Sequence, residues 1–233
     1  MSDRPANPAR RAPRQRVDLV TGAAASLPLA PRRRHVLFGL SAAVLGGLGA
    51  GLSACERRAP LALHGVDISG APYGQHWRLQ DQTGAERSPA DFRGLIQLFY
   101  FGFTQCPDIC PATLGHLRQT LTLLGPAANE VRVLFVTVDG QTDRPAVLQE
   151  YLKPFGAAFI GLTGSDSALQ DVAKDFRVYA RRKEGGAGFE HAGFVYAFDR
   201  SNRPRVLYGP DATPQAMADD IRLLLKDKGS AIA

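Results

Sequence analysis

Phe99-Tyr100-Phe101-Gly102-Phe103-Thr104-Gln105-Cys106-Pro107-Asp108-Ile109-Cys110-Pro111 is the stretch on which the reading of this chain turns. The apolar run from Leu95 to Phe103 predicts a strand buried on both faces. Beyond Pro111 the period changes, and Leu114, Leu117, Leu121 and Leu124 fall on one helical face. Two thiols therefore sit at a strand-to-helix junction, in or just before the first helical turn. Pro107 and Pro111 suit that place, because the first helical amides have no intrahelical partner to lose. Residues four apart on a helix are neighbours, so a modest adjustment lets both sulfurs reach one metal ion or each other. The helix N-terminus also favours the thiolate, which is both nucleophile and metal ligand. Paired thiols here mean soft-metal binding or disulfide chemistry.

Working outward, the charge is unevenly placed. The 233 residues carry a net +6. Residues 1–60 hold ten Arg and three acidic residues, a net +7, and the remainder holds 18 basic and 19 acidic residues, a net −1. The basic character belongs to the N-terminal segment, and nothing in the folded part calls for nucleic acid. Three cysteines are too few for a disulfide scaffold.

Residues 1–31 are rich in Arg, Pro and Ala and read as disordered. Arg32-Arg33-Arg34-His35-Val36-Leu37 then leads into an uncharged stretch to Ala54, the order of an export signal. It resembles a twin-arginine signal. Leu52-Ser53-Ala54-Cys55 resembles a bacterial lipobox, which makes Cys55 the lipidated first residue of the mature chain and accounts for the odd cysteine. The alternative is an uncleaved membrane anchor, since the run is near the short limit of about 17–25 residues for a span. Either way the folded part faces an oxidising, extracytoplasmic compartment, the periplasm of a bacterium.

Residues 56–72 read as a linker and 73–233 as the folded domain. Gln75 to Leu79 alternates like a strand, and Asp81 to Gly84 is a turn. Val131 to Val138 is a second buried strand, running straight into Asp139-Gly140-Gln141-Thr142-Asp143. A helix from about Pro145 to Phe155 follows, with Val147, Leu148, Tyr151 and Leu152 as its apolar positions. Phe159 to Leu162 is a strand, and Ser165 or Asp166 caps a helix carrying Leu169, Val172, Ala173 and Phe176. Val178 to Ala180 reads as a short strand, and Arg181 to Gly188 as a charged, Gly-rich loop. Phe194 to Asp199 and Arg205 to Tyr208 form a hairpin, and Thr213-Pro214 starts the final helix. Two βα units, a hairpin and a helix give an α/β domain with a central mixed sheet flanked by helices. With reactive cysteines after its first core strand, this is the thioredoxin-like arrangement.

Gly102 to Pro111 resembles the signature of the Sco/SenC proteins, copper-binding assembly factors for cytochrome c oxidase. Two further segments follow in the family's order. Val138-Asp139-Gly140-Gln141-Thr142-Asp143 resembles its acidic segment, with Gly140 where a proline commonly stands, which leaves both aspartates in register and the loop less rigid. His191-Ala192-Gly193-Phe194-Val195-Tyr196 resembles its histidine segment. The resemblance covers roughly residues 66–226.

It implies a metallochaperone that binds Cu(I) or Cu(II) through Cys106, Cys110 and His191. Its implied partners are the copper-bearing subunit of cytochrome c oxidase, a copper donor protein and the membrane. Soft sulfurs favour Cu(I) and imidazole helps hold Cu(II). Zinc also accepts two Cys and one His, so it is the resemblance that selects copper. Asp139 and Asp143 are either partner contacts or tuning groups behind the metal, or simply loop-capping residues. Asp108 reads as a helix cap, and His64, His76 and His116 as solvated.

Two other readings use the same cysteines. A thiol-disulfide oxidoreductase makes Cys106 and Cys110 nucleophile and resolver. It is disfavoured by the three residues between the thiols, by the lack of a proline before Phe194, and by having no use for His191. A peroxiredoxin-like peroxidase needs one low-pKa thiol with an activating arginine and leaves Pro111 unexplained.

Overall fold

The computed structural model describes residues 61–182, 188–191 and 193–227, with Arg182, Glu190 and His191 placed by their backbone. The export or anchor segment, Cys55 and most of the Arg181–Gly188 loop lie outside the described residues. No helix among the described residues is long and apolar enough to cross a membrane.

Ten strands and four α-helices follow one another along the described chain. In order they are β1 (Val66–Asp67), β2 (Leu79–Asp81), β3 (Glu86–Arg87), β4 (Ile96–Gly102), α1 (Ile109–Leu124), β5 (Val131–Thr137) and α2 (Pro145–Leu152). Then come β6 (Phe159–Thr163), α3 (Asp166–Asp175), β7 (Ala180–Arg182), β8 (Phe189–His191), β9 (Val195–Phe198), β10 (Pro204–Tyr208) and α4 (Pro214–Lys226). Eight strands form one sheet in the order β1-β10-β9-β4-β5-β6-β2-β3, and β7 and β8 pair separately. β4, β5 and β6 are parallel, whereas β9 runs antiparallel to β4. This is the mixed sheet of a thioredoxin-like fold.

Strand alternation sorts the core into two layers. Ile96, Leu98 and Tyr100 of β4 face a cluster with Leu114, Leu117 and Leu121 of α1, Leu148 of α2 and Met217, Ile221 and Leu224 of α4. Phe99 and Phe101 face the other way, against Phe176, Phe198 and α3. Phe99 meets Phe176 and Phe198 at 4.8 and 4.9 Å between ring centroids. A strand apolar on both faces is thus explained by helices on both sides.

The caps read from sequence at Ser165 and Thr213 are present, each side chain accepting from the amide three residues on. Three local readings shift. The strand expected over 75–79 lies at Leu79–Asp81, because Gln80 and Asp81 pair with Thr163 and Leu162 of β6. The short strand expected at 178–180 begins only at Ala180, set by its pairing with β8. Val147, placed on the apolar face of α2, is 40% exposed, while Leu148 and Leu152 carry that face. Val66 and Asp67, within the stretch read as linker, pair with β10. Just ahead of them, the fully buried Asp220 of α4 accepts hydrogen bonds from the His64 and Gly65 amides.

Asp81 closes the turn after β2. Burial alone would raise its carboxyl, but hydrogen bonds from the Thr83 hydroxyl, the Arg87 guanidinium and the Thr83 and Ala85 amides outweigh this and hold it below the usual carboxylate range. A depressed folded-state value contributes stability above the unfolded value and loses it as pH falls through the folded value. Asp81→Asn is therefore expected to be less stable than wild type by about 1–3 kcal/mol at pH 7. In urea titrations the gap should narrow in acid, below about pH 4.

Candidate metal centre

Cys106 precedes α1 and its amide donates to the Phe103 carbonyl at 3.2 Å. Cys110 is the second residue of α1 and is fully buried. Both are free thiols, set side by side. Asp108 is the N-cap, yet its side chain makes no capping bond. The helix terminus does not dominate at Cys110. Burial pushes its thiol up to about 12, further than hydrogen bonds from the Phe103 backbone amide and the Tyr100 side chain bring it down, and neighbouring Cys106 adds to the rise. A buried thiol of this kind holds its proton until a cation arrives to displace it.

Two phenols that the sequence reading passed over surround this pair. The Tyr100 hydroxyl faces the Cys110 thiol and Thr113, and burial raises its pKa. The Tyr151 hydroxyl is raised by burial and then by the two cysteines. The signal for Tyr100 was its inward position on β4, otherwise filled by Ile96 and Leu98.

Gly102 is required by close approach. A Cβ there would lie 2.8 Å from the Cys110 sulfur and 2.9 Å from the Phe135 ring. Gly102→Ala is expected to cost about 1–3 kcal/mol by overpacking. It should also displace Cys110, seen as faster labelling of the thiol by an alkylating probe.

The acidic segment after β5 has a definite structural part. Asp143 is fully buried. It accepts from the Thr104 amide at 3.0 Å, the Thr104 hydroxyl at 2.5 Å and the Thr137 hydroxyl at 2.6 Å. Burial raises its carboxyl above the usual range, against the pull of those three donors. It ties the loop carrying Cys106 to the end of β5. Asp139 is also buried, and its amide donates to the Thr137 hydroxyl at 2.9 Å. Gly140 sits where there is little room for a side chain. A Cβ there would meet the Gly164 carbonyl at 2.6 Å and Leu169 at 2.7 Å, so a larger residue would need its neighbours to shift.

His191 ends β8, its backbone paired with Ala180; its side chain lies outside what is described. The residues on either side of it rest on the cysteine loop. Phe189 meets Phe103 at a tilt, 5.7 Å between ring centroids, and a Cβ on Gly193 would be 2.9 Å from Ile109. His64, His76 and His116 are exposed. Among the described residues no three His, Cys, Asp or Glu side chains converge as a metal set, so neither aspartate joins the two cysteines in one.

The comparisons with known proteins agree with this arrangement. The family model described as SCO1/SenC matches residues 66–226. An SCO2-like protein of Rickettsia conorii is 33% identical over 154 residues, covering 64% of this chain and 75% of the relative. The human mitochondrial SCO2 homolog is 32% identical over 198 residues, covering 82% of this chain and 74% of its own length. The structure of Bradyrhizobium japonicum ScoI with copper bound superposes with a TM-score of 0.61 at 31% identity, covering 66% of this chain and 99% of that one. With two thiols at the head of α1, a hairpin packed on Phe103 of the loop before them, and a family match spanning the whole sheet, the chain belongs to the SCO1/SenC family.

Proposed function

We propose that this domain is a copper chaperone. In this reading Cys106, Cys110 and His191 hold Cu(I) or Cu(II) as cargo for the binuclear copper site of cytochrome c oxidase. The observation that carries it is the seating of the His191 segment on the cysteine loop through Phe189–Phe103 and Gly193–Ile109. That contact supports a shared site for residues some eighty positions apart in sequence. The donor chemistry fits: two thiols bind as thiolates on losing their protons, and an imidazole supplies borderline nitrogen. Asp143 positions Cys106 through Thr104, and Asp139 stands behind the same loop.

In the same reading Cys55 carries a lipid, or the uncharged stretch before it an anchor. The domain then sits on the outer face of the bacterial cytoplasmic membrane, where copper donor and oxidase subunit meet it. Metal analysis of the reduced protein tests the chaperone claim. The expected result is one copper per chain, abolished in the Cys106→Ser, Cys110→Ser double variant. Intact mass of the mature chain tests the lipid.

A second reading, reduction of a partner's cysteines, has one observation in its favour, the adjacent free thiols. The high thiol pKa of Cys110 counts against that residue as the attacking nucleophile. Rapid thiol exchange with little copper affinity would select that reading.

A further inference from the structure

We infer a second site, for a small phosphate-class oxyanion, at the N-terminus of α2. This goes beyond the copper reading and does not depend on it. The site opens into a cleft of about 400 Å³ between the loops that follow β5 and β6, lined among others by Arg78, Glu86, Arg144, Pro145, Thr163 and Ser165.

Three features converge there. First, α2 begins without a side-chain cap: Arg144 is its N-cap residue and makes no capping bond, and Pro145 has no N–H. The Leu148 amide closes the first turn on the Arg144 carbonyl at 3.0 Å. The Ala146 and Val147 amides before it point out of the helix end, where its dipole favours negative charge. By contrast, α3 beside it is capped by its own Ser165 and carries Asp166 in its first turn, so it offers no equivalent.

Second, Thr163 stands in β6 opposite that helix end. Gly161, two residues earlier on the same face, packs on Leu148 and Leu152 of α2, with a built Cβ at 3.0 and 2.9 Å from them. Thr163 therefore faces the first turn of α2. The residue is only 3% exposed, and its hydroxyl has no hydrogen-bond partner. A buried hydroxyl left unpartnered is costly and uncommon, and an oxyanion at the helix end supplies the missing acceptor.

Third, the balance of charge is positive. The exposed Arg144 guanidinium makes no ion pair among the described residues. Glu86, an acid on the cleft wall, is neutralised by Arg78 at 2.8 Å. A planar, fully ionised guanidinium beside outward amides is the donor set that phosphate oxygens take.

The test is a titration of the full-length chain with inorganic phosphate, and separately with glycerol 3-phosphate, at constant ionic strength. Amide chemical shifts are followed. Saturable movement of Ala146, Val147 and Thr163 is expected with either ligand. Arg144→Gln, a surface change that leaves the fold intact, should weaken binding about tenfold or more. Thr163→Val should weaken binding several-fold while the variant melts no lower than wild type, since it deletes an unpartnered hydroxyl. Unmoved amides at 146 and 147, or wild-type affinity in Arg144→Gln, would overturn the site.

Discussion

His191→Ala is expected to lower Cu(II) affinity by more than the roughly 10–100-fold typical of losing a group behind a ligand, and Cu(I) affinity much less. The asymmetry follows from ligand chemistry. Two thiolates suffice to hold a soft monovalent ion, whereas the divalent ion gains more from imidazole. Cys110→Ser should have the opposite profile, abolishing Cu(I) binding, because a serine hydroxyl does not ionise to a soft donor. Competition against chelators specific for each oxidation state measures both. Wild-type affinity for both ions in His191→Ala, together with fast thiol exchange, would falsify the chaperone account and leave the reductase. The measurement matters because the structure fixes the backbone of His191 in β8 and the packing of its neighbours, Phe189 on Phe103 and Gly193 beside Ile109.

Asp143→Ala is expected to be the most damaging change outside the thiols. The carboxylate takes three hydrogen bonds, from the Thr104 amide and from the Thr104 and Thr137 hydroxyls, in a fully buried place. Truncation strands three donors, and each buried orphan costs about 1–3 kcal/mol. Relief by rotation of the two hydroxyls leaves the Thr104 amide as the irreducible loss, so a net cost of about 3 kcal/mol is expected. Asp143→Asn keeps one carbonyl oxygen and the side-chain shape, and should lose about 1 kcal/mol. Urea midpoints separate the two. Amide exchange at Thr104 should rise sharply in the alanine variant. If Thr104 stays protected, the aspartate does not brace the cysteine loop.

The sheet and the thiol pair were legible because their signals are local. An unbroken apolar run at Leu95–Phe103 and a period change after Pro111 identify a doubly covered strand feeding a helix, and β4 and α1 follow within a residue or two. The brace was half legible. The register of Asp139 and Asp143 was visible, but their partners Thr104 and Thr137 lie on separate elements, and no spacing rule links position 104 to position 143. The high Cys110 pKa was missed for a related reason. A helix N-terminus can be read from the sequence, whereas the depth at which Gly102, Tyr100 and Phe135 bury a sulfur cannot. Gly140 is a similar case: its sequence position shows no neighbour, whereas in the fold a Cβ there would run into Gly164 and Leu169.

The strands β7 and β8 form a sheet of their own, paired with each other and with no other described strand. Lifting that small ribbon away from Phe103 and Ile109 breaks side-chain contacts and leaves the ladder of the large sheet whole. If the two thiols and His191 share a copper ion, as proposed above, the sulfurs belong to the main body and the nitrogen to this separate ribbon. Handing the ion on would then need only the ribbon to part from the cysteine loop, with every rung of the eight-stranded sheet left in place.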